Sequence, residues 1–277
     1  MTFLQLLKIS SLPPKETEIL VAFLLHKNRE FLLTHPEIKI NSPLLKKFKK
    51  LEKKRLTGWS IAVLIGQKEF YGLSFKVDKN ILVPRPETEM IVDEVLTKNQ
   101  NNCLIIDLGT GSGAIIIALA KNFKTAKAKF LAVDISLKAL KIAKQNAQLH
   151  KLNKKIKFSQ GNLLTPILKL LPNKNLVIAA NLPYLTKTQI NNSPSIKREP
   201  KLALDGGSDG LKYYRALFKQ LKTIKYESLE LLIEIDPSQT AKIKTLAKQY
   251  FFPECLEIKK DLAGRSRLLL IKKISAK

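Results

Sequence analysis

Two cysteines, Cys103 and Cys255, and three histidines, His26, His35 and His150, are all that 277 residues offer toward a disulfide framework or a zinc site. Neither their number nor their spacing supports one. The histidines lie among lysines rather than carboxylates, so no metal is expected. Long apolar runs are missing too: the longest, Ala114 to Ala120, falls far short of the roughly 18 residues of a membrane span. At the N-terminus no basic start or small-residue cleavage site marks a secretory leader, and Glu16 and Glu18 interrupt what a transit peptide keeps free of acid. A cytoplasmic protein with no membrane partner is expected.

Acidic residues are scarce, 23 against 49 lysines and arginines, for a formal charge of +26. Such a chain is attracted to nucleic acid and to acidic proteins. Arginine, whose fork suits phosphates and base edges, is rare as well: seven, against 42 lysines spread from Lys8 to Lys277 with one dense block at Lys46 to Arg55. The charge is read as a general lysine bias, and no obligatory nucleic-acid partner is expected. Apolar residues make up 45% of the chain and charged ones 26%, the balance of a folded domain.

Leucine-rich stretches at 2–9, 15–27 and 28–34, punctuated by Pro13-Pro14 and Pro36, predict helices, and Ser42-Pro43 opens a basic amphipathic helix to Arg55. Residues 1–65 are therefore read as a small helical domain. Residues 66–83, with Phe70, Tyr71, Leu73, Phe75 and Val77 around Gly72, predict a β-hairpin linker. From 84 to 277 the pattern alternates. Strands are expected at Cys103–Asp107, Phe130–Asp134, Ile156–Ser159, Leu176–Ala180 and Leu229–Ile235, and a closing pair at Leu256–Ile258 and Leu268–Ile271. Helices are expected at 86–97, 112–121, 136–150, 209–222 and 238–249. This alternation means an α/β fold with a parallel, doubly wound sheet.

The strongest local signal is Asp107-Leu108-Gly109-Thr110-Gly111-Ser112-Gly113, between a strand and an apolar helix. Glycines let the backbone turn sharply and approach a ligand. Asp134 ends the next strand, where a carboxylate can hold ribose hydroxyls. Together they point to a nucleoside cofactor. The spacing departs from the dinucleotide pattern, and Asp107 would repel a pyrophosphate. S-adenosylmethionine fits better: it has no phosphate and carries an ammonium that a carboxylate can hold.

The second signal, Asn181-Leu182-Pro183-Tyr184, directly follows an apolar strand and so shares the crevice at the strands' carboxyl ends. An amide or aromatic amine nitrogen is hard to methylate because its lone pair is delocalised. The Asn181 side-chain oxygen and the Leu182 carbonyl could grip the two hydrogens of such an NH2 and aim it. Pro183 would stiffen the loop and Tyr184 would pack on the flat substrate group.

At these residues the chain resembles the peptide chain release factor N5-glutamine methyltransferases over essentially its full length. The matching segments are Phe70 to Phe75, the run Pro84-Arg85-Pro86-Glu87-Thr88-Glu89, Asp107 to Ala114, Asn181 to Tyr184, Arg198-Glu199-Pro200 and Gly206 to Leu211. The resemblance implies a seven-stranded, Rossmann-like S-adenosylmethionine-dependent methyltransferase domain, preceded by a helical domain that docks the release factor. It implies transfer of methyl to the glutamine of the Gly-Gly-Gln loop; a monomer is expected, although the sequence alone does not fix the oligomeric state. Cofactor contacts are then expected at Gly109, Thr110, Gly111, Ser112, Gly113, Asp134, Asn162, Leu163 and Asn181. Glutamine contacts are expected at Asn181, Leu182, Pro183 and Tyr184, with Asn181 and Tyr184 catalytic. Two departures stand out: leucine at 182 where the family usually has proline, and Asn162-Leu163 where it usually has aspartate and often an aromatic residue. The alternatives are an RNA adenine-N6 methyltransferase, whose motif also reads Asn-Leu-Pro-Tyr, and a ribosomal-protein glutamine methyltransferase.

Overall fold

Short polar side chains start the first helices. In the computed structural model, which describes residues 1–97, 102–124, 127–172, 174–193 and 196–274, Thr2 and Gln5 form a capping box on α1 (Phe3–Ile9). Asn28 caps α3 (Arg29–Thr34), Asn41 caps α4 (Ser42–Leu56) and Ser60 caps α5 (Ile61–Ile65). Pro14 is the first residue of α2 (Pro14–Leu25), where its missing N–H costs nothing. Phe3, Leu6, Leu20, Val21, Leu32 and Phe48 form the core of this unit, which comprises Met1–Gln67 with Ser193–Arg198. Helix α4 turns Leu44, Leu45, Phe48 and Leu51 inward as its pattern predicts, and Lys46, Lys47, Lys50, Lys53 and Lys54 are exposed. Its one buried acid, Glu52, accepts from Ser10 Oγ, the Ser11 N–H and Lys49. Helix α5 was not anticipated; five residues are too few for a periodic signal.

The second unit is Lys68–Asn192 with Glu199–Lys277. Strands β1 (Gln67–Phe70) and β2 (Leu73–Lys76) meet at Tyr71-Gly72, both with positive φ (53° and 67°), the geometry of a two-residue hairpin turn. A 3₁₀ turn at Pro86–Thr88 leads into α6 (Glu89–Leu96). Then come β3 (Cys103–Leu108), α7 (Ala114–Asn122), β4 (Lys129–Asp134), α8 (Leu137–Leu149), β5 (Ile156–Gln160), β6 (Asn175–Ala180), α9 (Lys187–Asn191), α10 (Lys212–Lys222), β7 (Ser228–Glu234), α11 (Thr240–Ala247), β8 (Leu256–Lys260) and β9 (Ser266–Ile274). The seven-stranded order is β5-β4-β3-β6-β7-β9-β8. Strands β3 to β7 pair in parallel, and β9 runs antiparallel to both β7 and β8.

Alternate residues of each central strand enter two different cores. Ile106, Leu108, Val133, Ile178 and Ile233 belong to one; Ile105, Phe130, Ala132, Val177 and Leu232 belong to the other. A sheet covered on both faces needs apolar residues at every position, which is why these strands read as continuous apolar runs. Helix α7 begins at Ala114, two residues after the expected start, so Ser112 and Gly113 stay in the loop. Among the described residues no helix is long and apolar enough to cross a membrane.

Candidate active site

Strand order reverses between β3, which leads through α7 to β4, and β6 on its other side, and a crevice opens there at the strands' carboxyl ends. It holds a cavity of about 330 Å³. Gly109, Thr110, Gly111, Ser112, Asp134, Asn162, Leu163, Asn181, Leu182 and Pro183 all line it. The two motifs, 68 or more residues apart in sequence, therefore meet in one site.

Two expected contributors, Gly113 and Tyr184, do not line the cavity, and neither does Asp107 of the glycine motif. Gly113, at φ +81°, caps α7, and a Cβ there would lie 2.9 Å from Ile117 Cδ1 and 3.3 Å from Ala143 Cβ. Its smallness lets α7 approach α8. Asp107 is wholly buried beneath the loop, where its Oδ2 accepts from Thr110 Oγ1 at 2.6 Å and from the Ile116 N–H at 3.3 Å. The turn thus uses Oδ2 alone, and the buried Oδ1 has no hydrogen-bond partner among the described residues.

Burial pushes the Asp107 carboxyl up to about 7 against the two hydrogen bonds that favour its charged form. The folded value lies above that of the unfolded chain, so between about pH 4 and 7 the folded state holds a proton that the unfolded state has released. Stability from this residue is present at low pH and lost as pH rises through 7, by about 2–3 kcal/mol between pH 5 and pH 8. Asp107→Asn removes the titration. Urea unfolding at several pH values is expected to give a curve for the variant flatter by that amount, and parallel curves would remove the assignment.

Four of the loop N–H groups already have partners. Gly109 and Thr110 both donate to Val133 O, Gly111 donates to Asp134 Oδ2 at 2.9 Å, and Gly113 donates to Thr110 O. Asp134 also accepts from the Ser136 N–H at 2.8 Å through Oδ1. Burial raises its pKa while these backbone N–H groups lower it. On the far wall Asn162 is exposed, and Leu163 is buried with φ +53°, a left-handed conformation that costs a leucine about 1 kcal/mol or more.

Strand β6 ends at Ala180 and delivers Asn181 to the crevice. The Asn181 Nδ2 donates to Thr88 Oγ1 at 3.0 Å and to Glu234 Oε2 at 2.9 Å. Leu182 is 3% exposed, belongs to the main core and packs beside Gly109. Position 182 is therefore a packing position as well as a source of a carbonyl. Tyr184 donates its hydroxyl to Glu234 Oε1 at 3.0 Å, and its carbonyl accepts from Gln239 Nε2 at 2.7 Å. Burial, and then the Glu234 carboxylate, hold its phenol well above the ordinary tyrosine value.

Glu234, at the end of β7, was missed by sequence reasoning. It is 3% exposed and accepts from Thr88 Oγ1 at 2.6 Å as well as from Asn181 and Tyr184. Burial raises its pKa; the hydrogen bonds from Thr88 and Tyr184 and the charge of Arg267 pull it back. A glutamate ending an apolar strand was the available signal. The run from Pro84 to Glu89 finds its partners here too. Arg85 lines the cavity and donates Nη2 to both Glu199 oxygens at 2.8 Å, Thr88 reaches Glu234, and Glu89 accepts the Tyr71 N–H at 2.8 Å.

The sheet order and this crevice define an α/β methyltransferase. A family model described as "Methyltransferase domain" matches residues 99–229, and one described as "PrmC N-terminal domain" matches residues 3–66. The fold is shared with a human methyltransferase 10 domain containing protein (TM-score 0.53, 18% identity, 87% of this chain and 100% of that one). It is shared also with the hMettl16 catalytic domain solved with a MAT2A 3′UTR hairpin (TM-score 0.56, 15% identity, 91% and 90%). In sequence the chain is 36% identical to the release factor glutamine methyltransferase of Coxiella burnetii, over 97% of this chain and 95% of that protein. It is 34% identical to that of Dictyoglomus turgidum, over 95% and 94%. The chain belongs to the release factor glutamine methyltransferases.

Proposed function

We propose that this crevice transfers a methyl group from S-adenosylmethionine to the side-chain amide nitrogen, N5, of the glutamine in the Gly-Gly-Gln loop of peptide chain release factors. The observation that carries the reading is the meeting of the glycine loop, Asp134 and the Asn181–Pro183 edge on one cavity. The cofactor's charge fits the residues present. Four loop N–H groups are satisfied internally, and the charged side chain that the loop and β4 present to the cavity is the Asp134 carboxylate. That combination suits a cationic nucleoside rather than a pyrophosphate.

S-adenosylmethionine supplies an electrophilic methyl on a sulfonium sulfur. The chain's own residues have two tasks, holding the nucleoside and aiming the amide. Asp134 takes the ribose hydroxyls, Asn162 accepts from the adenine amino group and Leu163 covers the ring. The Asn181 side-chain oxygen and the Leu182 carbonyl accept the two N–H bonds of the glutamine. They would fix the nitrogen's direction and favour the positive charge it gains as the N–CH3 bond forms. The sulfonium would leave as a neutral thioether with the C–S bonding pair, and the surplus N–H proton would pass to water. Pro183 and Tyr184 keep that edge in place. Residues 1–65, with their exposed α4 lysines, dock the release factor.

Asp134→Ala is expected to weaken S-adenosylmethionine by about 1.5–3 kcal/mol, the worth of hydrogen bonds to a charged group. Calorimetry reads this directly, and unchanged affinity removes Asp134 from the ribose. The function itself is tested by mass spectrometry of a release factor incubated with enzyme and cofactor. One methyl is expected on the loop glutamine; a methyl on RNA adenine with the factor unmodified overturns the reading. Equal rates on a Gly-Gly-Gln peptide and on the intact factor would remove the docking role.

A further inference from the structure

An asparagine amide has a donor and an acceptor at opposite ends, and half a turn about its last torsion exchanges them at little steric cost. Which end faces the substrate is decided by what holds the other end. In this crevice two atoms hold it. Glu234 is buried, and its carboxylate is acceptor-only when ionised. The single Thr88 hydroxyl proton goes to Glu234 Oε2 at 2.6 Å, so toward Asn181, 3.0 Å away, Thr88 Oγ1 can only accept. Tyr184 occupies the other carboxylate oxygen. Both groups behind Asn181 are thus acceptors, and only its NH2 end satisfies them.

We propose that Glu234 and Thr88 are positioning residues that lock the Asn181 amide with its oxygen toward the crevice, and that this lock makes the site choose glutamine over glutamate. The inference rests on the reading of Asn181 as the acceptor for the substrate amide. With Asn181 locked, the substrate edge offers two oxygens, from Asn181 and from the Leu182 carbonyl. A primary amide gives each of them a hydrogen. A glutamate carboxylate has none to give, and leaves both unpaired and facing its own charge. Thr88 lies 93 residues before Asn181 and Glu234 lies 53 after it, which gives the Pro84–Glu89 run a task that its sequence does not reveal.

The test uses the full chain with Glu234→Leu, near in size and without an acceptor, together with Glu234→Gln and Thr88→Val. Glu234→Leu is expected to lower kcat about 30-fold or more with the affinity for S-adenosylmethionine unchanged within threefold. It should also speed solvent exchange of the Asn181 side-chain amide protons, which nitrogen-labelled NMR follows. A release factor carrying glutamate in place of the loop glutamine should inhibit this variant better than it inhibits the unaltered enzyme. Glu234→Gln can still turn its oxygen to Asn181 and Thr88 and its NH2 to Tyr184, so a loss of only about fivefold is expected. Thr88→Val, which leaves the sheet untouched, should lose about tenfold. A kcat within threefold of the unaltered enzyme in Glu234→Leu overturns the proposal. So does a Glu234→Gln as defective as Glu234→Leu, because charge rather than acceptance would then matter. Unchanged amide exchange overturns it as well. If the unaltered enzyme methylates no glutamine, the functional reading fails by itself, and amide exchange still decides whether the lock exists.

Discussion

Asn181→Ala is expected to lower kcat for glutamine methylation by about 10²-fold or more, the usual cost of deleting one preorganised polar group at a reacting centre. Two losses combine. The substrate nitrogen loses the acceptor that aims it, and Glu234 and Thr88 lose the NH2 that they accept. Affinity for S-adenosylmethionine should fall much less, because Gly109 to Ser112, Asp134 and Leu163 line the cavity independently of Asn181. A single-turnover assay with intact release factor, read by mass spectrometry, separates the two effects. Equal losses in cofactor affinity and in rate would move Asn181 from aiming the amide to holding the cofactor.

Gly206→Ala is expected to be as damaging without removing any group from the substrate edge. A Cβ at this position would lie 2.6 Å from Tyr184 Cα, 2.7 Å from Pro183 O and 2.8 Å from Tyr184 C. All three are backbone atoms and cannot rotate aside. The two segments are stitched together by Leu185 N–H to Leu204 O at 3.0 Å and Gly206 N–H to Leu185 O at 2.8 Å, so they cannot simply part. The methyl must push the Asn181–Tyr184 edge out of line, and a misplacement approaching 1 Å costs about 10²-fold in rate. A kcat lower by that factor with cofactor affinity nearly unchanged is the expected result. A fully active variant would show that the edge tolerates displacement.

The contrast between these two residues shows what could be seen in the sequence. Asn181 was legible because it stands in a compact motif at the end of an apolar strand, as was Asp134 after the glycine loop. Strand and helix alternation was legible for the same reason: each signal spans only a few neighbouring residues. Gly206 was visible only as one of a glycine pair, since its contact lies 22 residues away on Tyr184. Glu234 and Thr88, separated by 146 residues, acquire meaning only when β7 and the turn before α6 are brought together. Arg85 and Glu199, separated by 114, do so likewise. Asp107 and Gly113 were legible as motif residues, but their burial beneath and behind the loop was not. The short helices α5 and α9 carry too few residues to show a period.

Asn146 was the least conspicuous of all, a polar residue in the last turn of α8 that is nonetheless fully buried. It accepts the Lys76 N–H at 2.8 Å and donates to Lys76 O at 3.0 Å and to Ser112 O at 2.8 Å. One side chain thereby joins the second strand of the hairpin, a helix and the glycine loop. The hairpin cannot peel away from α8 without leaving the buried Asn146 Oδ1 and one Asn146 N–H without their Lys76 partners, so hairpin, helix and loop are expected to open as a coupled group. A ligand that steadies the loop therefore slows opening of the hairpin by mass action. Occupancy of the crevice is thus expected to lengthen the exchange lifetime of the Lys76 amide, on a strand that lines no part of the cavity.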